Sequence, residues 1–192
     1  ANNGTDYYVN DASLVGDEYA AAVGSNLNSG KSIHMPMASL RALLAAYDLD
    51  TGDTVHVDTG EYLLLANVVM TAQDAGVMVL GPITGRAVLD RANTSAGSYS
   101  FQFVDADGVT LDHLAVTGGQ YGVYVGNLSD SNDITISNSE VFGNSHSGVY
   151  VFNGNNNATV EGNTVYRNTH YGIYVQGNAA TVSGNTVYGS TT

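Results

Sequence analysis

His146 and His170 are the residues of this chain whose placement most suggests chemistry. Each stands two residues before a matching segment, Gly148-Val149-Tyr150-Val151 and Gly172-Ile173-Tyr174-Val175, and Gln120 holds the same place before Gly122-Val123-Tyr124-Val125. An imidazole repeated in this way can serve as a general base, provided that a partner orients the ring and a pocket holds the substrate. Arg167 and Tyr171 lie close by in sequence, so His146, Arg167 and His170 form the candidate catalytic set. The competing reading is a ladder of turn residues facing water. As metal ligands, two histidines fall short of the tetrahedral set of a zinc centre. Asp112-His113, His56-Val57-Asp58 and His34 read as ordinary turn or surface residues.

Two aromatic series offer binding rather than catalysis. Tyr124, Tyr150 and Tyr174 recur at one position, and Phe142, Tyr166 and Tyr188 at another. A column of such rings presents flat apolar area with a polar tip, which suits contact with sugar rings. The same column also has a structural explanation, because cross-strand aromatic pairs stabilise a sheet by about 0.2–1 kcal/mol each. The acidic turns Asp48-Leu49-Asp50-Thr51-Gly52-Asp53, Asp105-Ala106-Asp107-Gly108 and Asp130-Ser131-Asn132-Asp133 raise calcium, with Asp105, Asp107, Asp130 and Asp133 as candidate ligands. Calcium takes about six to eight oxygens. One such turn supplies fewer, and none has the spacing of a helix-loop-helix calcium loop. No other cofactor is suggested.

The formal net charge of -13 arises from 18 acidic against 5 basic side chains. Such a surface repels nucleic-acid phosphates and anionic membranes, both of which need clustered Lys and Arg. It keeps a protein soluble, including in a salty setting. Without cysteine there is no disulfide. No apolar run reaches the ~20 residues of a membrane span, so membrane insertion is not expected.

The elements that must position these residues follow from the repeat. Three series recur in constant order: the Gly-[Val/Ile]-Tyr-Val segments; Ser139-Glu140-Val141-Phe142, Asn163-Thr164-Val165-Tyr166 and Asn185-Thr186-Val187-Tyr188; and Ile134-Thr135-Ile136, Ala158-Thr159-Val160 and Ala180-Thr181-Val182. Each unit therefore holds three short strands. Side chains alternate along a strand, so Val123 and Val125 share one face and Tyr124 takes the other. A coil of this kind buries its apolar residues only by stacking on its neighbours, about 4.8 Å away. The expected fold is all-β, a right-handed parallel β-helix with three sheets and roughly five coils. Asn144 with Asn168, and Asn163 with Asn185, fall at equivalent turns, where stacked amides bond from coil to coil.

The pattern weakens upstream but persists, through Val109 and Leu111 and through Val77 and Val79, to Val55 and Val57, which puts the first coil near Thr54. Arg91 to Tyr99 reads as a loop insertion. Residues 38–49 carry Leu40, Leu43, Leu44 and Tyr47 at helical spacing, with Pro36 before them and Gly52 after. An amphipathic helix here would cap the open end of the first coil. Residues 1–53 thus form an N-terminal strand and helical cap, and residues 54–192 the coils. Asp11 to Met35 carries mixed signals. The sequence stops after the second strand of a coil, so the expectation is a solenoid that continues in a longer protein, or an end covered by end-to-end self-association.

The repeated Gly-[Val/Ile]-Tyr-Val and Asn-Thr-Val-Tyr units, with Tyr7-Tyr8-Val9, the helix, Gly52-Asp53-Thr54-Val55-His56-Val57 and Gly60-Glu61-Tyr62, resemble the right-handed parallel β-helix repeat family of the pectate-lyase-like superfamily. The resemblance covers nearly the whole chain and looks like the start of secreted bacterial members. It implies an extracellular or cell-surface protein with polysaccharide as partner. This architecture carries lyases, hydrolases, epimerases, adhesins and scaffolds. The lyases typically need a basic residue that abstracts a proton, often beside a calcium held by carboxylates. Here the basic residues are Lys31, Arg41, Arg86, Arg91 and Arg167, scattered along the chain. The expected function is therefore a non-catalytic extracellular module, structural or carbohydrate-contacting. The alternative is a polysaccharide lyase, hydrolase or epimerase working in a groove near His146, Arg167 and His170.

Overall fold

The computed structural model of the chain describes residues 5–127 and 129–191. Its backbone winds as a parallel β-solenoid whose turns visit three sheets in constant order. The first sheet stacks β1 (Asp6–Val9), β2 (Thr54–Val57), β5 (Met78–Leu80), β8 (Thr110–Asp112), β11 (Thr135–Ser137), β14 (Thr159–Glu161) and β17 (Thr181–Ser183). The second stacks β3 (Gly60–Leu63), β6 (Ala87–Asp90), β9 (Leu114–Thr117), β12 (Glu140–Phe142), β15 (Thr164–Tyr166) and β18 (Thr186–Tyr188). The third stacks β4 (Val68–Thr71), β7 (Tyr99–Val104), β10 (Tyr121–Val125), β13 (Val149–Val151) and β16 (Ile173–Val175). The loop expected from Arg91 to Tyr99 runs into β7, and β2 begins at Thr54.

Register turns the linear repeat into columns. Val123 pairs with Val149 and Val149 with Ile173, while Val141 pairs with Val165 and Ile136 with Val160. Val123, Val141, Val149, Val160 and Val165 are wholly buried. Burying each such side chain is worth about 1.5–3 kcal/mol, and only a neighbouring coil can supply the cover. The last described coil is different: Val182, Val187 and Tyr188 are about half exposed.

Corners and amide ladders hold the coils in step. The chain leaves the first sheet through a residue with positive φ: His113 (54°), Asn138 (47°), Gly162 (67°) and Gly184 (63°). Asn and His tolerate this left-handed conformation better than most residues. Inside the next corner, Asn144 N donates to Asn168 Oδ1 at 3.1 Å, and Asn168 Nδ2 donates to the Val141 carbonyl at 3.1 Å. Asn163 and Asn185 repeat the arrangement at 2.9 Å. Both expected asparagine ladders are present.

The helix near the N-terminus is shorter than its apolar spacing suggests. Helix α1 covers Leu40–Ala46, with Leu40 and Leu43 buried. Ser39, three residues after Pro36, is its N-cap, accepting from Ala42 N, and Tyr47 already has extended backbone. Leu49 is then buried from a non-helical stretch, so the 38–49 spacing mixed helical and extended contacts with one core. Strand β1 joins the first sheet beside β2. The segment from Asp11 to Met35 has little regular structure and is fastened by carboxylates. Buried Asp58 accepts from the backbone N–H of Glu18 (2.7 Å), Tyr19 (2.8 Å) and Ala20 (2.6 Å). Glu18 in turn accepts from the N–H groups of Ile83, Thr84 and Gly85.

Candidate functional site

Alternation along the third sheet sends every second side chain outward, and register stacks them. Val69 of β4 pairs with Gln102 of β7, which pairs with Tyr124; Tyr124 pairs with Tyr150, and Tyr150 with Tyr174. The expected tyrosine column therefore lies on this sheet. Tyr99 pairs with Tyr121 beside it. The corner before the sheet carries the histidines: His146 N donates to the Gln120 carbonyl at 2.8 Å and His170 N to the His146 carbonyl at 2.7 Å. Their rings stand 4.5 Å apart, tilted by 32°.

These side chains make one continuous aromatic face. Tyr99 stacks on Tyr124 at 4.2 Å, Tyr124 on Tyr150 at 6.0 Å, and Tyr150 on Tyr174 at 4.7 Å. Tyr121 joins the column to the histidines, 5.1 Å from Tyr150 and 4.7 Å from His146. Tyr171 does so one coil later, 4.1 Å from His170 and 5.1 Å from Tyr174. Phe152 lies 5.7 Å from Tyr150. Rings stacked at 11–21° use their faces on one another, so hydroxyls and ring edges are what the column can offer a ligand.

Burial shifts several of its titratable groups. Burial, and then neighbouring phenols, push Tyr121 up to about 12. Burial also raises Tyr99 and Tyr150. Burial and the adjacent His170 hold His146 below the usual imidazole range.

The other aromatic series behaves differently. Phe142, Tyr166 and Tyr188 stack along the second sheet at 5.1 Å and within 5° of parallel. Arg86 lies over Phe142 at 5.5 Å and binds Glu140 at 2.7 Å, and the Tyr166 hydroxyl donates to Glu140 at 3.2 Å. With Tyr166 on one side and a guanidinium against the ring, Phe142 has little left for a ligand. Arg167 lies 6.0 Å from the Tyr166 ring. The catalytic set suggested by sequence is thus divided: His146 and His170 share the third-sheet corner, and Arg167 packs on the second-sheet column.

The calcium candidates occupy turns between the third and first sheets. Asp105, Asp130 and Asp133 have φ of 57°, 51° and 56°, a conformation that favours Asp for local reasons. Asp107 Oδ1 accepts from Asn132 N at 2.6 Å, and Asp133 Oδ1 from Asn157 Nδ2 at 3.0 Å. Among the described residues, no group of three or more His, Cys, Asp or Glu side chains is arranged to hold a metal ion. His113 bonds through Nδ1 to Asp112 at 2.8 Å, and Asp112 also accepts from Ser137 and Asn138, which locks a corner.

One cleft adjoins the candidate face. It holds about 230 Å³ between α1 and β4, with Arg41, Leu44, Asn67, Val69 and Thr71 among its walls. Tyr99, Tyr121, Phe152 and Tyr171 belong to the aromatic face although the repeat did not single them out. The Tyr-Gly pairs at 121–122 and 171–172 carried the signal, since a buried Gly after an outward Tyr marks a bend onto the same face.

Comparison with known proteins agrees with this geometry. The family described as "Right handed beta helix region" matches residues 49–190. The solved structure titled "Crystal structure of pectate lyase Pel9A" superimposes with a TM-score of 0.73 at 21% identity over 95% of this chain. The match spans 48% of that structure, so the chain covers about half the length of the protein it resembles. No curated protein sequence matches.

Proposed function

The chain belongs to the family of right-handed β-helix regions, and on that premise we propose that it is a non-catalytic extracellular module whose third-sheet face contacts polysaccharide. The observation that carries the reading is the aromatic face from Tyr99 to Tyr174, which crosses four strands along the solenoid axis. An elongated row of phenol hydroxyls and ring edges fits a linear polymer rich in hydroxyls. The likeness to a structure titled pectate lyase is one of fold, and a polysaccharide ligand is in keeping with that title. Among the described residues, no helix is long and apolar enough to cross a membrane.

The placement of the cations supports contact without turnover. Arg86 is tied to Glu140, Arg91 to Asn67 and the Leu64 carbonyl, Lys31 lies over Tyr47, and Arg167 over Tyr166. Arg41 lines the cleft beside the aromatic face, and Arg91 shares Asn67 with the backbone of Tyr99, so these two are the cations to vary should products appear. The experiment is a pull-down on insoluble polysaccharides, with assays for new reducing and unsaturated ends. Binding without products is the expected result. Accumulating reducing or unsaturated ends would establish the hydrolase or lyase reading, and an altered NMR spectrum of the recovered polysaccharide the epimerase reading, with His146 and His170 as the first residues to vary. In the same assay, Tyr150→Ala with Tyr174→Ala should weaken binding at least tenfold while the circular dichroism spectrum stays unchanged.

A further inference from the structure

The aromatic row meets a wall at one end. Its register column runs from Tyr174 through Tyr150, Tyr124 and Gln102 to Val69 on β4, the terminal strand of the third sheet on that side. Val68 and Met70 are wholly buried, so alternation turns Asn67, Val69 and Thr71 outward. These three line the cleft, and Arg41, Leu44 and Ala45 of α1 line it with them. Spaced at i, i+3 and i+4, the helix residues share one face, while Leu40 and Leu43 fasten α1 to the core. Outward residues of a strand and one face of a helix can wall the same cleft only where the helix rises beside the sheet. The cleft is therefore the place where the row stops.

We infer that this cleft takes the terminal sugar ring of a polysaccharide chain lying on the row, so that the module recognises chain ends. The inference rests on the glycan reading and narrows it. Its volume of about 230 Å³ is below the ~300–1,000 Å³ of sites for drug-sized ligands, which suits one ring and not a stretch of polymer. Asn67 ties the cleft to the row: its Nδ2 donates to Gln102 Oε1 at 3.0 Å, and its Oδ1 accepts from Tyr99 N at 3.0 Å. Donors are left over for a ligand. Among the described residues, Arg41 joins no ion pair, and the exposed side chain of Gln73, also in the cleft, makes no hydrogen bond. A guanidinium and an amide can donate to ring hydroxyls, while Leu44 and Val69 offer apolar surface to the C–H groups of the ring. A terminal ring can enter a cleft that is closed behind it, and a chain that continues cannot.

The experiment titrates the whole protein with soluble mixed-linkage β-glucan, galactomannan and polygalacturonate, each intact and after partial acid hydrolysis. Cutting chains to about a tenth of their length multiplies the ends per mass, so the half-saturating mass concentration of the bound polymer should fall about tenfold. Ala45→Trp fills the cleft from an exposed helix position, and Arg41→Gln removes its guanidinium. Each should abolish that gain, with the thermal unfolding curve showing that the fold is kept. Binding of intact polymer that does not tighten on cutting would overturn the end site and leave the glycan reading standing. A gain that persists in Arg41→Gln and in folded Ala45→Trp would likewise overturn it. Failure of every intact and cut polymer to bind would remove both readings together.

Discussion

Tyr121 lies within 5.6 Å of Tyr99, Tyr124, Tyr150 and His146, measured between ring centres. Its position explains both its ionisation and its place in the function. Its folded pKa of about 12 exceeds the ordinary tyrosine value of 10.0. The stability tied to that difference is complete below the unfolded value and is lost as pH rises through the folded one. An absorbance titration of tyrosinate should therefore show a late step near pH 12 that disappears in Tyr121→Phe. A deeper residue, Asn168, tests the ladder. Its Oδ1 accepts from Asn144 N and Nδ2, and Asn168→Ala leaves those buried donors unmet. The expected loss is about 1–3 kcal/mol in a denaturant titration. The sequence showed the asparagines because their offsets repeat. It hid Tyr121 because alternation within β10 is broken at Gly122, where the buried pattern reads two in succession.

At the scale of elements, the solenoid strands were legible and the N-terminal segment was not, for a physical reason. Strands announce themselves through alternation and repeat, whereas the segment from Asp11 to Met35 is ordered by side-chain to backbone bonds that reach far along the chain. Asp58 grips the N–H groups of residues 18–20, and Glu18 grips those of residues 83–85. Asp58→Ala should release this strap, visible as faster hydrogen exchange and proteolysis between Asp11 and Met35 while the coils stay protected. Glu18 adds a pH dependence. The Thr84 hydroxyl foremost, then the backbone donors of Thr84, Ile83 and Gly85, hold its pKa below the usual carboxylate range. A depressed carboxylate contributes stability above its unfolded pKa that is lost as pH falls through the folded one. Strap protection should accordingly decline from about pH 4 downward, and Glu18→Gln should remove that dependence. Helix α1 was placed correctly in kind but drawn too long, because Leu49 joins the same core from extended backbone.

For the whole molecule, stacking converts a linear period into surfaces, and each surface has its own chemistry. The first sheet carries corners and a fastened strap, the second a ladder of aromatic rings flanked by Arg86, Arg167 and Glu140, and the third a face of phenols and imidazoles. Sequence alone placed both aromatic columns on their sheets. It could not tell them apart, since the distinction lies in what packs against each ring: guanidinium groups on the second sheet, further phenols and imidazoles on the third. That distinction is the core of the functional account. It is tested most directly by affinity electrophoresis through gels that contain a bound polysaccharide, comparing the unaltered protein with Tyr150→Ala/Tyr174→Ala on the third sheet and Tyr166→Ala on the second. The expected outcome is retardation of the unaltered protein and of Tyr166→Ala, with free migration of the third-sheet variant. Equal retardation of both variants would contradict the account.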